Sequence, residues 1–267
     1  MKRISWKSLL GLLALMTIQI SLASERVGNF ALLDHEGAYH QLRKYGDSRA
    51  VVIISVASRC EENINKLPKY RLLRTTWERQ GITLLAIDSA TEDDLDDVRR
   101  MDELYNFELP ILLDDSQLVA ESLGLSKAGQ VVVLEPNRYQ MLYRGGLDID
   151  PLRAQPQLGI EGRPGSSVLA ETLSKIVAGD LDSFDEVVTT AAIGCDLAFP
   201  ARDIHSKKAP DYATEVAPIL QARCTNCHTK GGVAPFAMDS YMMVLGWSAM
   251  MKEVILTKRM PPAQVDP

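Results

Sequence analysis

The chain has no tract of clustered lysine and arginine, no internal repeat and no low-complexity segment. Nucleic acid therefore has no electrostatic footing, and the net charge of -6 points the same way. Past the amino-terminal segment there is no apolar run of the roughly 18–20 residues that spans a bilayer. Cysteine is scarce, with four in 267 residues. In an exported chain four would first suggest two disulfides. Their distribution argues otherwise: Cys60 and Cys195 are isolated, whereas Cys224 and Cys227 are three apart and followed by His228.

The chain opens MKRISWKSLLGLLALMTIQISLASERVG. Lys2, Arg3 and Lys7 give a basic start, a mostly apolar run extends from Leu9 to Ile20, and Ser21-Leu22-Ala23 has the small-x-Ala form of a cleavage site. The run is short for a membrane span. Residues 1–23 therefore read as a cleaved signal peptide, with a retained anchor as the other reading. Export to a bacterial periplasm is the expectation, a compartment where disulfides persist. About 240 residues would remain, the length of one to two domains.

Strands and helices then alternate. NFALLDHEGAYHQL (29–42) reads as a hairpin turning at Asp34–Gly37. AVVIISVAS (50–58) and ITLLAIDS (82–89) are unbroken apolar, β-branched runs, the pattern of strands buried on both faces. A helix is expected from Glu61 to Gln80, ended by Gly81. Another covers TEDDLDDVRRMDELY, whose acidic first turn suits the helix dipole. The PILLDD strand, a helix near Leu118–Leu123, the pair QVVVLEP and YQMLYRGGLD around Pro136-Asn137, and a helix from Ser167 to Ala178 complete the set. This order predicts an α/β domain on a central mixed sheet.

The element order, the F-x-L-x-D-x-x-G opening at Phe30–Gly37, and a cysteine just after a buried strand resemble the thioredoxin-like redoxin family, of the peroxiredoxin and thiol-specific antioxidant type. The likeness covers residues 27 to 180 and implies a thioredoxin-like fold. Cys60 takes the place of the family's first active-site cysteine, and Pro68 that of a proline kinking the active-site helix. Three positions depart from the pattern. Asn63, in CEEN, stands where thioredoxins carry a second thiol; Ala57 stands where thiol peroxidases carry threonine or serine; Gly129 falls where the family's cis-proline is expected.

At a helix start the Cys60 thiolate would be favoured by the dipole and by Arg59, and opposed by Glu61 and Glu62. Oxidation to a sulfenic acid, resolved elsewhere, is one available chemistry. The remaining candidate to resolve it is Cys195 in AIGCDL, which resembles a Gly-Cys stretch following the redoxin domain in a larger two-domain family. A structural Cys60–Cys195 disulfide, or two inert thiols, is the plainer reading.

Residues 181–210, with Pro200 and Pro210, show little periodicity and read as a linker. DYATEVAPILQARCTNCH then begins with Asp211 as an N-cap and carries Val216, Ile219 and Leu220 on one helical face. A helix ending in Cys-x-x-Cys-His is a haem-attachment signature. Cys224 and Cys227 are spaced to bond the two vinyl groups on one porphyrin edge, and His228 to ligate the iron. A zinc site would need two more ligands, with His205 the only other histidine nearby and Cys195 the only spare cysteine. A redox dithiol would be expected to start a helix after a strand, and this motif follows a helix.

For the iron's sixth ligand, Met242, Met243, Met250 and Met251 lie in an expected helix from Asp239, where methionine usually fills a core. Met260 precedes Pro261-Pro262 beyond that helix and is the favoured ligand, ahead of those methionines and His205. The run VAPILQARCTNCHTKGGVAPF through RMPP, within residues 212 to 262, resembles the haem domain of exported proteins that join a redoxin domain to a cytochrome c. Ala263 departs from it, replacing a tryptophan.

The expectation is thus a signal peptide (1–23), a thioredoxin-like α/β domain (24–180), a linker (181–210) and a small all-α cytochrome c-like segment (211–267). Covalent c-type haem would transfer single electrons with redox partner proteins, while the redoxin domain binds a partner or does thiol chemistry. Thiol oxidoreductase or peroxidase activity at Cys60, and a structural interaction module, are the other readings. Roughly 55 residues are few for a haem globule, so a further C-terminal domain or a partner chain would complete it.

Overall fold

The computed structural model describes residues 25–147 and 167–261. The leader reading of residues 1–23 lies outside them. Strands β1 (Ala31–Leu33) and β2 (Tyr39–Gln41) form the expected hairpin, antiparallel with Leu32 opposite His40. Asp34 builds its turn by accepting the backbone N–H groups of Glu36 and Ala38.

β3 (Ala50–Val56) is buried at every position, as its unbroken apolar run requires. The single helix expected after it is two: α1 (Glu61–Ile64) and α2 (Leu67–Trp77). Pro68 sits in the first turn of α2, where a missing N–H leaves no helical bond unmade. It opens a second helix rather than kinking one. A tight turn over Glu78–Gln80 ends at Gly81, whose φ of 84° is left-handed.

β4 (Ile82–Asp88), α3 (Leu95–Tyr105), β5 (Ile111–Leu113), α4 (Leu118–Leu123), β6 (Gln130–Glu135), β7 (Gln140–Gly146) and α5 (Val168–Val177) follow in the predicted order. Asp94 and Asp97 close a capping box on α3.

Beyond α5 come β8 (Val188–Thr189) and helices α6 (Pro200–Lys207), α7 (Ala217–Arg223) and α8 (Tyr241–Leu256). The sheet runs β5-β4-β3-β6-β7-β8. β3, β4 and β5 are parallel, β6 is antiparallel to β3 and β7, and β8 is parallel to β7.

Alternate residues of the central strands feed two cores. Val52, Ile54, Leu84 and Val133 pack against α2, α3 and α5; Val51, Ile53, Ile87 and Val132 pack against α4 and the hairpin. Each fully buried aliphatic side chain contributes about 1.5–3 kcal/mol. Phe199, within residues 181–210, belongs to the second core and is 1% exposed. That segment is therefore not a free linker up to Phe199: it adds a strand to the sheet and two aromatic rings, Phe184 and Phe199, to the two cores. Sparse periodicity concealed this, because two residues of strand and two rings fifteen positions apart leave no repeat to read.

Candidate functional site: a disulfide at the end of the central strand

Val56 ends β3, and Ala57-Ser58-Arg59 carries the chain to Cys60, which caps α1 in extended conformation. Cys60 is buried and half-buried Cys195 is bonded to it, the two Cα atoms 5.9 Å apart. That separation is ordinary for a disulfide. Cys60 packs with Ala57, Ala128, Ala90 and Cys195.

The segment around Cys195 is held where its sulfur can reach Cys60. The Ala128 N–H donates to the Cys195 carbonyl at 2.9 Å, and the Leu197 N–H donates to Ser126 at 2.9 Å. Lys127 pairs with Asp196, and Lys66 donates to the Ile193 carbonyl. The approach is close enough that only glycine fits at 194, since a Cβ there would fall 1.7 Å from the Ala128 carbonyl oxygen. Gly129 has φ of 88° and donates its N–H to Ser55 at 2.7 Å. Proline, fixed near -65° and lacking the N–H, could do neither. The departure from the redoxin pattern at Gly129 thus fits a chain that folds its own segment over the site.

Asn63, in the place of a second thiol, is fully buried and donates to the Ala57 carbonyl at 3.3 Å. It braces the loop. Arg59 was expected to favour the thiolate, but its guanidinium is taken up by Asp97 at 2.6 Å and Asp93 at 3.5 Å. The hydrogen bond to Asp97 raises the Arg59 pKa and lowers that of Asp97. Glu62 sits nearer the chemistry, with Oε2 3.2 Å from Cys195 Sγ and 3.5 Å from Cys60 Sγ. These three side chains are also the one cluster among the described residues spaced to hold a metal ion.

Sequence reasoning passed over a group of buried acids behind the loop. Burial pushes the Asp88 carboxyl up to about 8, with Asp93 adding to it; burial likewise pushes Asp114 up to about 6. Asp88 accepts the Ala90 N–H at 2.9 Å, and Asp93 accepts the Ser58 N–H at 2.5 Å. The available signal was an aspartate ending the apolar run ITLLAID.

The second candidate site lies in the tail. Asp211 caps its helical turn as expected, accepting the Thr214 N–H at 2.8 Å. Cys224 and Cys227 are free, half-buried and exposed respectively, and burial raises the Cys224 pKa. The His228 N–H donates to the Cys224 carbonyl at 2.9 Å, so the motif winds into one turn. His228 is buried, its ring 4.7 Å from Phe236, which stacks on Trp247 at 4.8 Å. His228 Nδ1 lies 3.0 Å from the Phe236 carbonyl oxygen. A carbonyl only accepts, so Nδ1 carries a proton, and in the neutral ring Nε2 is the nitrogen left to ligate. Met260 is half-buried, its N–H donating to the Val254 carbonyl at 3.2 Å. His205 is exposed on α6.

Residues 23–146 match the AhpC/TSA family. That part of the chain is similar to a redoxin domain. Its fold is also that of a hypothetical protein from Sinorhizobium meliloti 1021, at 22% identity and a TM-score of 0.50, covering 65% of this chain and 92% of that one. An uncharacterized conserved protein from Geobacillus kaustophilus aligns at 20% identity and a TM-score of 0.53, covering 68% and 94%. These likenesses support an α/β thioredoxin-like fold, and nothing in them shows a cytochrome c-like domain. No curated relative matches the chain. Among the described residues no helix is long and apolar enough to cross a membrane.

Proposed function

We propose that the redoxin domain performs thiol–disulfide exchange through Cys60 and Cys195. The observation that carries this reading is the disulfide itself, joining the buried cysteine after β3 to a half-buried sulfur. An incoming thiolate attacks Cys195 Sγ, and Cys60 leaves as a thiolate. The Cys195 N–H lies 3.2 Å from the Cys60 sulfur and is placed to stabilise that charge. A second external thiolate then releases Cys195, so two thiols become one disulfide while the protein's disulfide becomes two thiols. Partners are thiol-bearing proteins or small thiols. An exported chain suits this pair, because disulfides persist in oxidising compartments.

The test equilibrates the full chain in glutathione buffers and quantifies each cysteine by alkylation and mass spectrometry. Reversible oxidation of Cys60 and Cys195 is expected. A pair that stays oxidised across the whole buffer range would leave a structural disulfide instead.

A second reading, favoured by the His228–Phe236 contact, is that residues 211–261 carry c-type haem. The donor set fits: two free cysteines, a histidine whose Nδ1–H is held so that Nε2 can ligate, and Met260 as sixth ligand. Apolar side chains stand open to solvent in this segment, among them Val233, Ile219 and Met242. An apolar planar group would cover such a surface. Haem would supply one-electron transfer. Protein expressed with export and haem-attachment machinery should give a c-type pyridine haemochrome and retain haem on a denaturing gel; a chain without covalent haem would overturn this reading.

A further inference from the structure

Glu62 Oε2 lies 3.2 Å from Cys195 Sγ and 3.5 Å from Cys60 Sγ. A disulfide sulfur carries no proton, so an ionised carboxylate gains little beside it. The same distance to a thiol is a hydrogen bond, with S–H donating to the carboxylate. The contact therefore has its chemical use when the pair is reduced, and Cys195 is its nearer partner.

We propose that Glu62 is the general base that deprotonates Cys195 when the disulfide closes. The inference rests on exchange at Cys60 and Cys195, and it names the group that moves the proton. In the closing direction the Cys60 thiolate attacks a low-molecular-weight disulfide and one small thiolate leaves. The Cys195 S–H then passes its proton to Glu62. The Cys195 thiolate attacks Cys60 Sγ, the S–S bond of the mixed disulfide breaks, and the second small thiolate leaves with the electron pair. Glu62 returns its proton to that thiolate or to water. Two protein thiols have then been oxidised and one disulfide reduced to two thiols.

The sign of the effect separates this role from simple proximity. A negative charge near two cysteines disfavours their thiolates, so a purely electrostatic Glu62 would slow closure and its neutralisation would speed it. A general base does the reverse. A cysteine thiol at its ordinary pKa is only a few per cent ionised at neutral pH, so the gain open to a base is on the order of tenfold.

The experiment mixes the reduced full chain with glutathione disulfide, quenches with acid, and follows the Cys60 mixed disulfide and the Cys60–Cys195 bond by mass spectrometry. In Glu62→Gln the mixed disulfide should accumulate, with closure about tenfold slower at pH 7 and rising with hydroxide until it meets the wild type at alkaline pH. Glu61→Gln, which removes the adjacent acid, should close like the wild type. Equal or faster closure in Glu62→Gln, with the wild-type pH profile, would overturn the role of Glu62 and leave exchange standing. A wild type that forms no mixed disulfide and no closed pair would overturn exchange itself.

Discussion

A Cβ on Gly194 would lie 1.7 Å from the carbonyl oxygen of Ala128. No side chain fits that space, and the neighbouring Cys195 depends on it to reach Cys60. Gly194→Ala should push the segment off the sheet at a cost of about 1–3 kcal/mol and leave Cys60 and Cys195 reduced. Thiol titration of the denatured, unreduced protein checks it: two further thiols should titrate in the variant.

The disulfide closes a loop spanning 135 residues of sequence. In the chain-entropy picture a loop of that size restricts the unfolded chain by about 4–5 kcal/mol, less whatever structure that state keeps. Cys195→Ser should lower the melting temperature measurably. It should also open residues 190–198 to limited proteolysis, because a few backbone bonds and exposed ion pairs would then hold them.

Asp88 makes stability depend on pH. Burial raises its folded pKa to about 8 from the ordinary carboxylate value of 3.8, so the native state keeps a proton that the unfolded chain loses. The stability Asp88 contributes is full below the unfolded value and falls as pH rises toward the folded one. Asp88→Asn keeps an acceptor for the Ala90 N–H and removes this dependence. Denaturant melts at pH 5 and pH 8 should show the variant gaining on the wild type at the higher pH.

Phe199 closes the second core. Phe199→Ala should cost about 3–5 kcal/mol, and a chain ending at residue 180 should be less stable than one ending at residue 208. Urea unfolding of the three proteins measures this directly.

The central strands were legible because their signal is local. AVVIISV and ITLLAID are apolar at nearly every position, and a strand covered on both faces needs nothing less. The spacing of Cys224, Cys227 and His228 is likewise a property of five consecutive residues. The break at Asn65–Lys66 was missed because Leu67 and Tyr70 continue a helical pattern across it while Pro68 begins a new first turn.

Sequence alone determined the α/β order, the lone cysteine after a buried strand and the Cys-x-x-Cys-His turn, since each rests on neighbours in the chain. Tertiary structure decided the rest. It bonded Cys195 to Cys60, turned Arg59 toward Asp97, brought Glu62 to both sulfurs and set Phe199 in the core. Those relationships join segments far apart in sequence, or depend on which way one side chain turns. Packing of the sheet against its own tail fixes them, and no local pattern encodes that.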